Sequence, residues 1–267
     1  MKKYKQLDLR NSLVDLGIKK GDLIYMHSCL LSMGMLAEAR SKEDLCRRIY
    51  HTILDIIGEE GTIVVPTFTT DTARYNLPFD LEETKCDTGI LPEYIRTAGG
   101  ALRSLHPINS VAAYGAKSKL ICDDVAKSNY GLDSPYDRMY KLGAKCINLG
   151  LNFFSNSWYH YLESIYCVPH IYNKLLDIQV TSKNRIYEGP FFASLRYLDA
   201  NVVYNLSYFD RVLQCNGQIQ VQSLGAGKVS CVDVKTYCDV GLGLLKQNPY
   251  AFLEYTPQFT PGKLPRK

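Results

Sequence analysis

One histidine and one carboxylate in the second half of the chain have the spacing of an acid–base pair. They end the polar and aromatic segment SNSWYHYLE at 155–163, in which Ser155 or Ser157 could cap a helix. In that helix His160 and Glu163 lie on one face, close enough to interact. A carboxylate beside an imidazole fixes the tautomer and supports the imidazolium, as a general base requires. Helical pairs of this kind are more often structural, so the spacing leaves both interpretations open.

A second segment, RSLHPINS at 103–110, places a cation, two hydroxyls and an imidazole within eight residues. Its proline should hold the backbone extended. This composition suits the binding of an anionic group. The alternative is a surface turn in which His106 is solvated or capped, and residue types alone favour that alternative.

Three polar loops each follow a predicted strand, at 27–34, 67–70 and 152–157. Ligands of open parallel sheets bind beyond the carboxyl ends of the strands. Hydroxyls and free backbone N–H groups there can hold phosphates. The glycines do not have the spacing of a phosphate loop or a dinucleotide fingerprint, so we expect neither ATP nor NAD as a cofactor.

Hydrophobic periodicity predicts the elements that would position these loops. It indicates helices at 6–17, 41–57 and 90–98 and strands at 21–28, 61–69, 112–114 and 145–150, followed by an apolar aromatic segment at 158–168. Ser41 is the predicted N-cap of the second helix. A strand, a helix and a strand in succession imply a parallel pair with a right-handed crossover.

The last third of the chain has a different pattern. Residues 170–223 contain β-branched and tyrosine-rich pieces separated by turn signals such as Asn216-Gly217, which predicts antiparallel strands. A final amphipathic helix is predicted at about 231–245, before a proline-rich basic tail. We expect one domain, 1–267, in which 164–222 forms the substrate-recognition portion.

Composition excludes several classes of protein. The chain has 267 residues, 46% of them hydrophobic and 22% charged, which is typical of a globular protein. Its net charge of +4 lacks the clustered excess of a nucleic-acid binder. The nine cysteines have no zinc-ligand spacing, and the longest apolar stretch is too short to span a bilayer. We therefore expect a reduced cytoplasmic protein that needs no metal and binds neither membrane nor nucleic acid.

Five segments taken together resemble the aminoglycoside 3-N-acetyltransferase family. They are HSCLLSMG from 27, VVPTFT from 64, RSLHPINSVAAYG from 103, YGLDSPYDRM from 130 and INLGLNFFSNSWYHYLES from 147. Their order and spacing carry the resemblance, which extends from about Gly17 to the last helix. No single segment would be specific enough.

The resemblance implies an acyl-CoA-dependent N-acyltransferase. It implies a three-layer α/β/α sandwich with a mostly parallel central sheet, besides the smaller antiparallel portion predicted above. His160 would be the general base and Glu163 its partner. The residues expected to line the coenzyme A cleft are His27, Ser28, Cys29, Leu30, Thr67, Arg103, Ser104 and Ser110.

Two positions depart from the family pattern. Cys29 stands where serine is frequent, which raises a covalent route through its thiol. His27 is a poor activator for that thiol, because neighbouring strand residues point to opposite faces, so we favour direct transfer. Ser157 and Trp158 stand where threonine and a small residue are usual, and we expect Trp158 to narrow or reshape the mouth beside the base.

The charge of the recognition portion bears on the acceptor. Between 164 and 222, five basic residues face four acidic ones: Lys174, Lys183, Arg185, Arg196 and Arg211 against Asp177, Glu188, Asp199 and Asp210. An aminoglycoside is a polycation and needs an acidic lining. The balance therefore favours a nucleotide-linked (dTDP-type) amino sugar for surface polysaccharide, acylated with an acetyl or 3-hydroxybutyryl group. The alternatives are an aminoglycoside acetyltransferase and a non-catalytic coenzyme A or carbohydrate-binding protein, and a homodimer is one possible assembly.

Overall fold

A seven-stranded mixed sheet forms the centre of the protein. The computed structural model describes residues 2–152, 156–187, 189–198 and 200–259. In these ranges the strands are β1 (Lys3–Tyr4), β2 (Leu23–Ser28), β3 (Met35–Leu36), β4 (Thr62–Pro66), β5 (Phe79–Asp80), β6 (Leu102–Arg103), β7 (Val111–Gly115), β8 (Lys145–Leu149), β9 (Ile171–Leu176), β10 (Val180–Ser182), β11 (Arg185–Tyr187), β12 (Phe191–Arg196), β13 (Ile219–Leu224) and β14 (Gly227–Asp233). The helices are α1 (Gln6–Asp15), α2 (Leu30–Met33), α3 (Lys42–Ile57), α4 (Thr70–Tyr75), α5 (Ile90–Thr97), α6 (Ser118–Cys122), α7 (Pro135–Lys141), α8 (Trp158–Tyr166), α9 (Ser207–Cys215) and α10 (Val234–Gln247).

Within the central sheet, only the two pairs in the middle are parallel. The strand order is β13-β14-β8-β2-β4-β7-β6. Strand β2 is parallel to β4 and to β8, which confirms the predicted strand–helix–strand unit. The other four pairs are antiparallel, so the expectation of a mostly parallel sheet is wrong. A parallel pair requires a crossover of about a dozen residues, whereas only Gly225-Ala226 separates β13 from β14.

Most predicted elements occur near their expected positions. The hydroxyl of Ser41 accepts a hydrogen bond from Asp44 N at 3.0 Å, as an N-cap does. The last helix begins later than predicted, because Cys231 belongs to β14 and Asp233 is the cap that accepts from Thr236 N. Helix α9 lies in the portion predicted as antiparallel strands. Its buried residues Phe209 and Leu213 have helical spacing, a signal that the strand interpretation passed over.

Helices cover both faces of the sheet. Along β2, Leu23 and Tyr25 pack into one apolar core, while Ile24 and Met26 pack into the other, as strand alternation requires. Helices α1, α3 and α5 contribute to the core of Ile24, and α6 to α10 contribute to the core of Tyr25. The three predicted layers are therefore present. The pairs β9–β12 and β10–β11 form the smaller antiparallel portion.

The polar loops of interest follow the central strands. Because β2, β4 and β8 run in the same direction, the loops after Ser28, Pro66 and Leu149 leave the sheet at one edge. All nine cysteines are free thiols. Within the described ranges, the model contains no helix with the length and apolar character needed to cross a membrane.

Candidate active site

Helix α8 orients the candidate catalytic pair. Trp158 anchors its first turn in the core, where its ring lies 5.7 Å from that of Tyr25 and 5.1 Å from that of Tyr136. Trp158 is 0% exposed, so the expectation that it narrows the mouth of the site is wrong. Its large ring fills the space between the helix and the sheet. The side chain of His160 is 33% exposed.

At the start of α8, the side chain of Asn156 forms a hydrogen bond with the helix backbone, and that of Ser157 forms no cap hydrogen bond. Ser157 occupies the N-cap position, but its hydroxyl makes no cap hydrogen bond and lies 3.5 Å from Nε2 of His27. The side chain of Asn156 instead accepts from Trp158 N at 3.0 Å. Ser155 lies outside the described residues. The contact between Ser157 and His27 thus connects the N-terminus of α8 to the end of β2.

Glu163 accepts a hydrogen bond from one ring nitrogen of His160. Nδ1 of His160 lies 3.0 Å from Oε2 of Glu163, whose side chain is 1% exposed. The carboxylate also accepts hydrogen bonds from Nε2 of His170 at 2.7 Å and from the hydroxyl of Tyr204 at 3.0 Å. Burial raises the pKa of Glu163, but the hydrogen bonds from His160 and His170 outweigh burial and leave this pKa below its usual value.

These contacts determine the tautomer of His160. An ionised carboxylate can only accept hydrogen bonds, so Nδ1 of His160 is the donor, and in the neutral ring the lone pair is on Nε2. No group among the described residues bonds Nε2. His160 therefore presents an available base to the cavity that it lines.

The cavity beside His160 has a volume of about 390 Å³ and an aromatic wall. The ring of His160 lies 3.9 Å from that of Tyr159, 5.3 Å from that of Tyr204 and 5.8 Å from that of Tyr130. The remaining lining combines four neutral polar residues, three aliphatic residues, one anion and one cation: Thr70, Asn109, Asn129, Ser194, Ile108, Ile171, Leu195, Glu163 and Arg196.

Asn129 fixes the polar side of this cavity. Its amide nitrogen donates to Asn109 Oδ1 at 3.0 Å, and its oxygen accepts from the backbone N–H groups of Tyr130 and Ser194. Three separate chain segments therefore meet at one buried amide. This arrangement keeps the wall in place before any ligand binds.

The loop after β2 lines a second cavity. Ser28, Cys29 and Leu30 form part of its wall, and the cavity has a volume of about 560 Å³. Most of the remaining wall is apolar, with polar residues at the start of α3, and includes Leu31, Leu36, Ala39, Arg40, Ser41, Lys42, Leu45 and Leu91. His27 is absent from this lining and is buried. Burial lowers the pKa of His27 to about 4, so its imidazole is neutral.

Arg103 points into the protein and bonds to the ends of other loops. Its guanidinium donates to the carbonyl oxygens of Leu81, Thr84 and Thr67 and to the hydroxyl of Ser110. Ser110 in turn donates to the carbonyl of Thr67 and shares a 2.9 Å hydrogen bond with its hydroxyl. Burial lowers the pKa of Arg103 to about 10, which still leaves it a cation at neutral pH. This network joins the loops after β4, β5 and β6.

Three other residues predicted to line the coenzyme A cleft are buried and form hydrogen bonds within the protein. Thr67, Ser104 and Ser110 are each 0% exposed. The hydroxyl of Ser104 accepts from Val111 N at 2.9 Å. These side chains bond to protein atoms and line neither of the two cavities, whereas Ser28, Cys29 and Leu30 reach a cavity surface.

The surface turn considered for His106 is wrong, because this side chain is buried. Nδ1 accepts from the backbone N–H groups of Ile108 and Asn109, and Nε2 donates to the carbonyl of Phe192 at 3.0 Å. Burial lowers the pKa of His106 to about 4. His106 thus joins the loop that carries Asn109 to β12.

Sequence reasoning did not connect two further residues with Glu163. His170 lies beyond the end of α8, and Tyr204 lies between β12 and α9, yet both donate to Glu163. Neither position belongs to a local motif. Only the fold brings them together.

A family model described as "Aminoglycoside 3-N-acetyltransferase" matches residues 26–246. The chain belongs to this family. It is 26% identical over 176 residues to aminoglycoside N(3)-acetyltransferase IX of Micromonospora chalcea, an alignment that covers 59% of this chain and 60% of the relative. It is 27% identical to aminoglycoside N(3)-acetyltransferase VII of Streptomyces paromomycinus, with 60% of each chain covered. The chain therefore spans about three fifths of the length of these curated relatives.

The fold agrees with solved structures over a longer range. A structure described as "AAC-IIIb binary with CoASH" superposes with a TM-score of 0.78 at 23% identity, covering 96% of this chain and all (100%) of the other. A structure described as "AAC-VIa bound to Sisomicin" has a TM-score of 0.78 at 18% identity and covers 91% of this chain and 98% of the other. These likenesses establish the three-layer fold.

Proposed function

We propose that this protein is an acyl-CoA-dependent N-acetyltransferase that acylates an amino group of an aminoglycoside. The observation that carries the proposal is the buried Glu163 carboxylate, which holds Nδ1 of His160 and leaves Nε2 available at a cavity. A non-catalytic binding protein has no need of such an oriented base. The family supplies the acyl donor and the acceptor class.

His160 prepares the acceptor for attack. An ammonium group has no lone pair, so Nε2 must first remove its proton and free the nitrogen. Glu163 stabilises the imidazolium that forms, because its charge lies next to Nδ1. The imidazolium can then return a proton to the departing sulfur. Acyl-CoA supplies an acyl carbon already activated as a thioester.

The cavity at the loop after β2 fits coenzyme A. Its apolar wall, which includes Leu30, Leu36 and Leu45, suits the pantetheine arm. Arg40 and Lys42 provide cations beside the N-terminal end of the 16-residue helix α3, where anionic groups are favoured. Ser28, Cys29 and Leu30 would hold the cosubstrate, and the buried Thr67, Arg103 and Ser110 would support the neighbouring loops. A relative of the same fold was solved with coenzyme A.

The comparisons favour an aminoglycoside acceptor over the nucleotide-linked amino sugar that the charge count favoured. Curated relatives carry aminoglycoside acetyltransferase names, and solved neighbours contain gentamicin, apramycin and sisomicin. Thr70 lines the cavity and donates hydrogen bonds from its N–H and hydroxyl to Asp87. The exposed carboxylate of Asp87 is suited to a substrate ammonium group.

One observation keeps the nucleotide-linked amino sugar as a second candidate. Arg196 lines the cavity, while the carboxylate in its wall, Glu163, already receives three hydrogen bonds. A guanidinium at this place suits a phosphate. Two residues of the charge count, Glu188 and Asp199, lie outside the described residues.

A substrate panel with two variants distinguishes the candidates. Purified protein would be assayed with acetyl-CoA and 3-hydroxybutyryl-CoA against kanamycin, gentamicin and dTDP-linked amino sugars. Mass spectrometry should detect an acyl group on an aminoglycoside, and Asp87→Asn should raise the KM for it about tenfold while Arg196→Gln has little effect. Turnover of the dTDP sugars alone, with KM raised by Arg196→Gln, would select the second candidate. Equal background signals from wild type and His160→Asn would refute transferase activity.

A further inference from the structure

We propose that His170 is a positioning residue for acyl transfer, which through its hydrogen bond to Oε1 of Glu163 keeps Oε2 directed at Nδ1 of His160. This inference rests on the proposed function, in which His160 is the base. His170 belongs to none of the segments that suggested the family.

The two oxygens of Glu163 have different partners. Oε1 receives Nε2 of His170 at 2.7 Å, whereas Oε2 receives Nδ1 of His160 and the hydroxyl of Tyr204. A terminal carboxylate torsion is broad and easily rotated. A short hydrogen bond on the far oxygen restricts that rotation. His170 therefore determines which way the oxygen that serves His160 points.

The surroundings of His170 indicate a role beyond packing. Its side chain is 0% exposed, and Nδ1 has no hydrogen-bond partner among the described residues. A buried polar atom without a partner is destabilising. An apolar residue would fill the same space without that cost. The hydrogen bond to Glu163 is what an imidazole adds at this position.

The same geometry identifies which nitrogen of His170 is the donor. An ionised carboxylate can only accept, so Nε2 of His170 donates the 2.7 Å hydrogen bond to Oε1 of Glu163. Glu163 therefore accepts a hydrogen bond from one imidazole at each oxygen, from His170 at Oε1 and from His160 at Oε2.

Matched substitutions separate positioning from structural support. His170→Gln keeps a donor that can reach Glu163, whereas His170→Leu keeps bulk without a donor.

We expect His170→Leu to lower kcat by about 10- to 100-fold, the range typical when a group that orients a functional imidazole is lost. KM for both substrates should stay within about threefold. His170→Gln should retain kcat within about threefold of wild type. His170→Met serves as the apolar variant if the leucine variant does not fold.

A second readout does not depend on turnover. In ¹⁵N-histidine-labelled protein, which has five histidines to assign, the wild type should show His160 with hydrogen on Nδ1, and the donor-free variant should show a mixture of tautomers. Absence of acetyl transfer with this tautomer shift present would refute the proposed function and leave the positioning role standing. Unchanged kcat and tautomer in the donor-free variant, or equal loss of kcat in the glutamine variant, would overturn the inference.

Discussion

Nδ1 of His160 lies 3.0 Å from Oε2 of Glu163, one turn further along α8. This contact is local in sequence, but its chemistry depends on burial of the carboxylate. Because Glu163 is almost fully covered and receives three donors, it remains anionic and cannot turn away from the imidazole. The pair is therefore organised before substrate arrives.

Removal of the His160 imidazole should greatly lower activity and hardly change thermal stability. His160→Asn is expected to lower kcat by about 10²- to 10⁴-fold, since a general base contributes this much. Its side chain is one third exposed, so the midpoint of thermal unfolding should change little. Steady-state rates and thermal unfolding of the same preparation test this. A loss below tenfold would contradict the assignment.

Neutralising the carboxylate should reduce both activity and stability. Glu163→Gln removes the charge that supports the imidazolium and places an amide NH₂ against donors from His160, His170 or Tyr204. We expect kcat to fall by at least about tenfold and the free energy of unfolding to fall by about 1 to 3 kcal/mol. Tyr204→Phe removes one donor without adding one, so it should have the smaller effect. Chemical denaturation and initial rates measure the two quantities.

The buried histidines should make stability depend on pH. Burial lowers the pKa of His27 and His106 to about 4, whereas an unfolded chain has values near 6.5. Between these values the unfolded state binds protons that the folded state does not, so stability should fall as pH drops from about 6.5 to 4. His106→Asn can still accept from the turn at 108–109 and should flatten this dependence.

Denaturation curves at several pH values provide the measurement for the buried histidines. His51→Asn, at an exposed position of α3, is the matched control and should leave the dependence unchanged. At neutral pH, His106→Asn should cost about 1 kcal/mol because the hydrogen bond to the carbonyl of Phe192 is lost. An equal slope in wild type and His106→Asn would contradict the pKa assigned to His106.

Replacement of Arg103 should lower the stability of the protein more than its affinity for coenzyme A. Arg103→Met leaves the half-buried carbonyl oxygens of Leu81 and Thr84 without this donor and leaves that of Thr67 with Ser110 alone, and we expect a loss of about 3 kcal/mol. Arg74→Met, at an exposed position of α4, should change stability by less than about 0.5 kcal/mol. Calorimetric titration with coenzyme A completes the test. Weaker coenzyme A binding at unchanged stability would instead support the contact that the resemblance implies.

The thiol of Cys29 should be dispensable for transfer. Cys29 lines the cavity after β2, and none of its described hydrogen bonds joins the thiol to a histidine. Direct attack predicts that Cys29→Ser keeps kcat within about threefold, whereas a covalent route would lose most of the activity. Initial rates and intact-protein mass spectra after mixing with acetyl-CoA test this. An acetylated wild-type enzyme that Cys29→Ser fails to form would support the covalent route.

Local patterns in the sequence determined the central elements and the candidate catalytic pair. The N-cap at Ser41, the apolar strands β2 and β4, and the i,i+3 spacing of His160 and Glu163 depend on contacts within a few residues, which periodicity and capping residues record. The same patterns could not determine strand direction at the sheet edges. That depends on connection length and on which strands become neighbours.

Tertiary structure alone decided which groups complete the site. His170 and Tyr204 converge on Glu163 from 7 and 41 residues away, and Arg103 turns inward to carbonyl oxygens of three other loops. Trp158 likewise lies in the core and not at the mouth of the site. A residue type states which hydrogen bonds a side chain can make, whereas packing of the whole chain decides whether it meets solvent, a ligand or a buried partner.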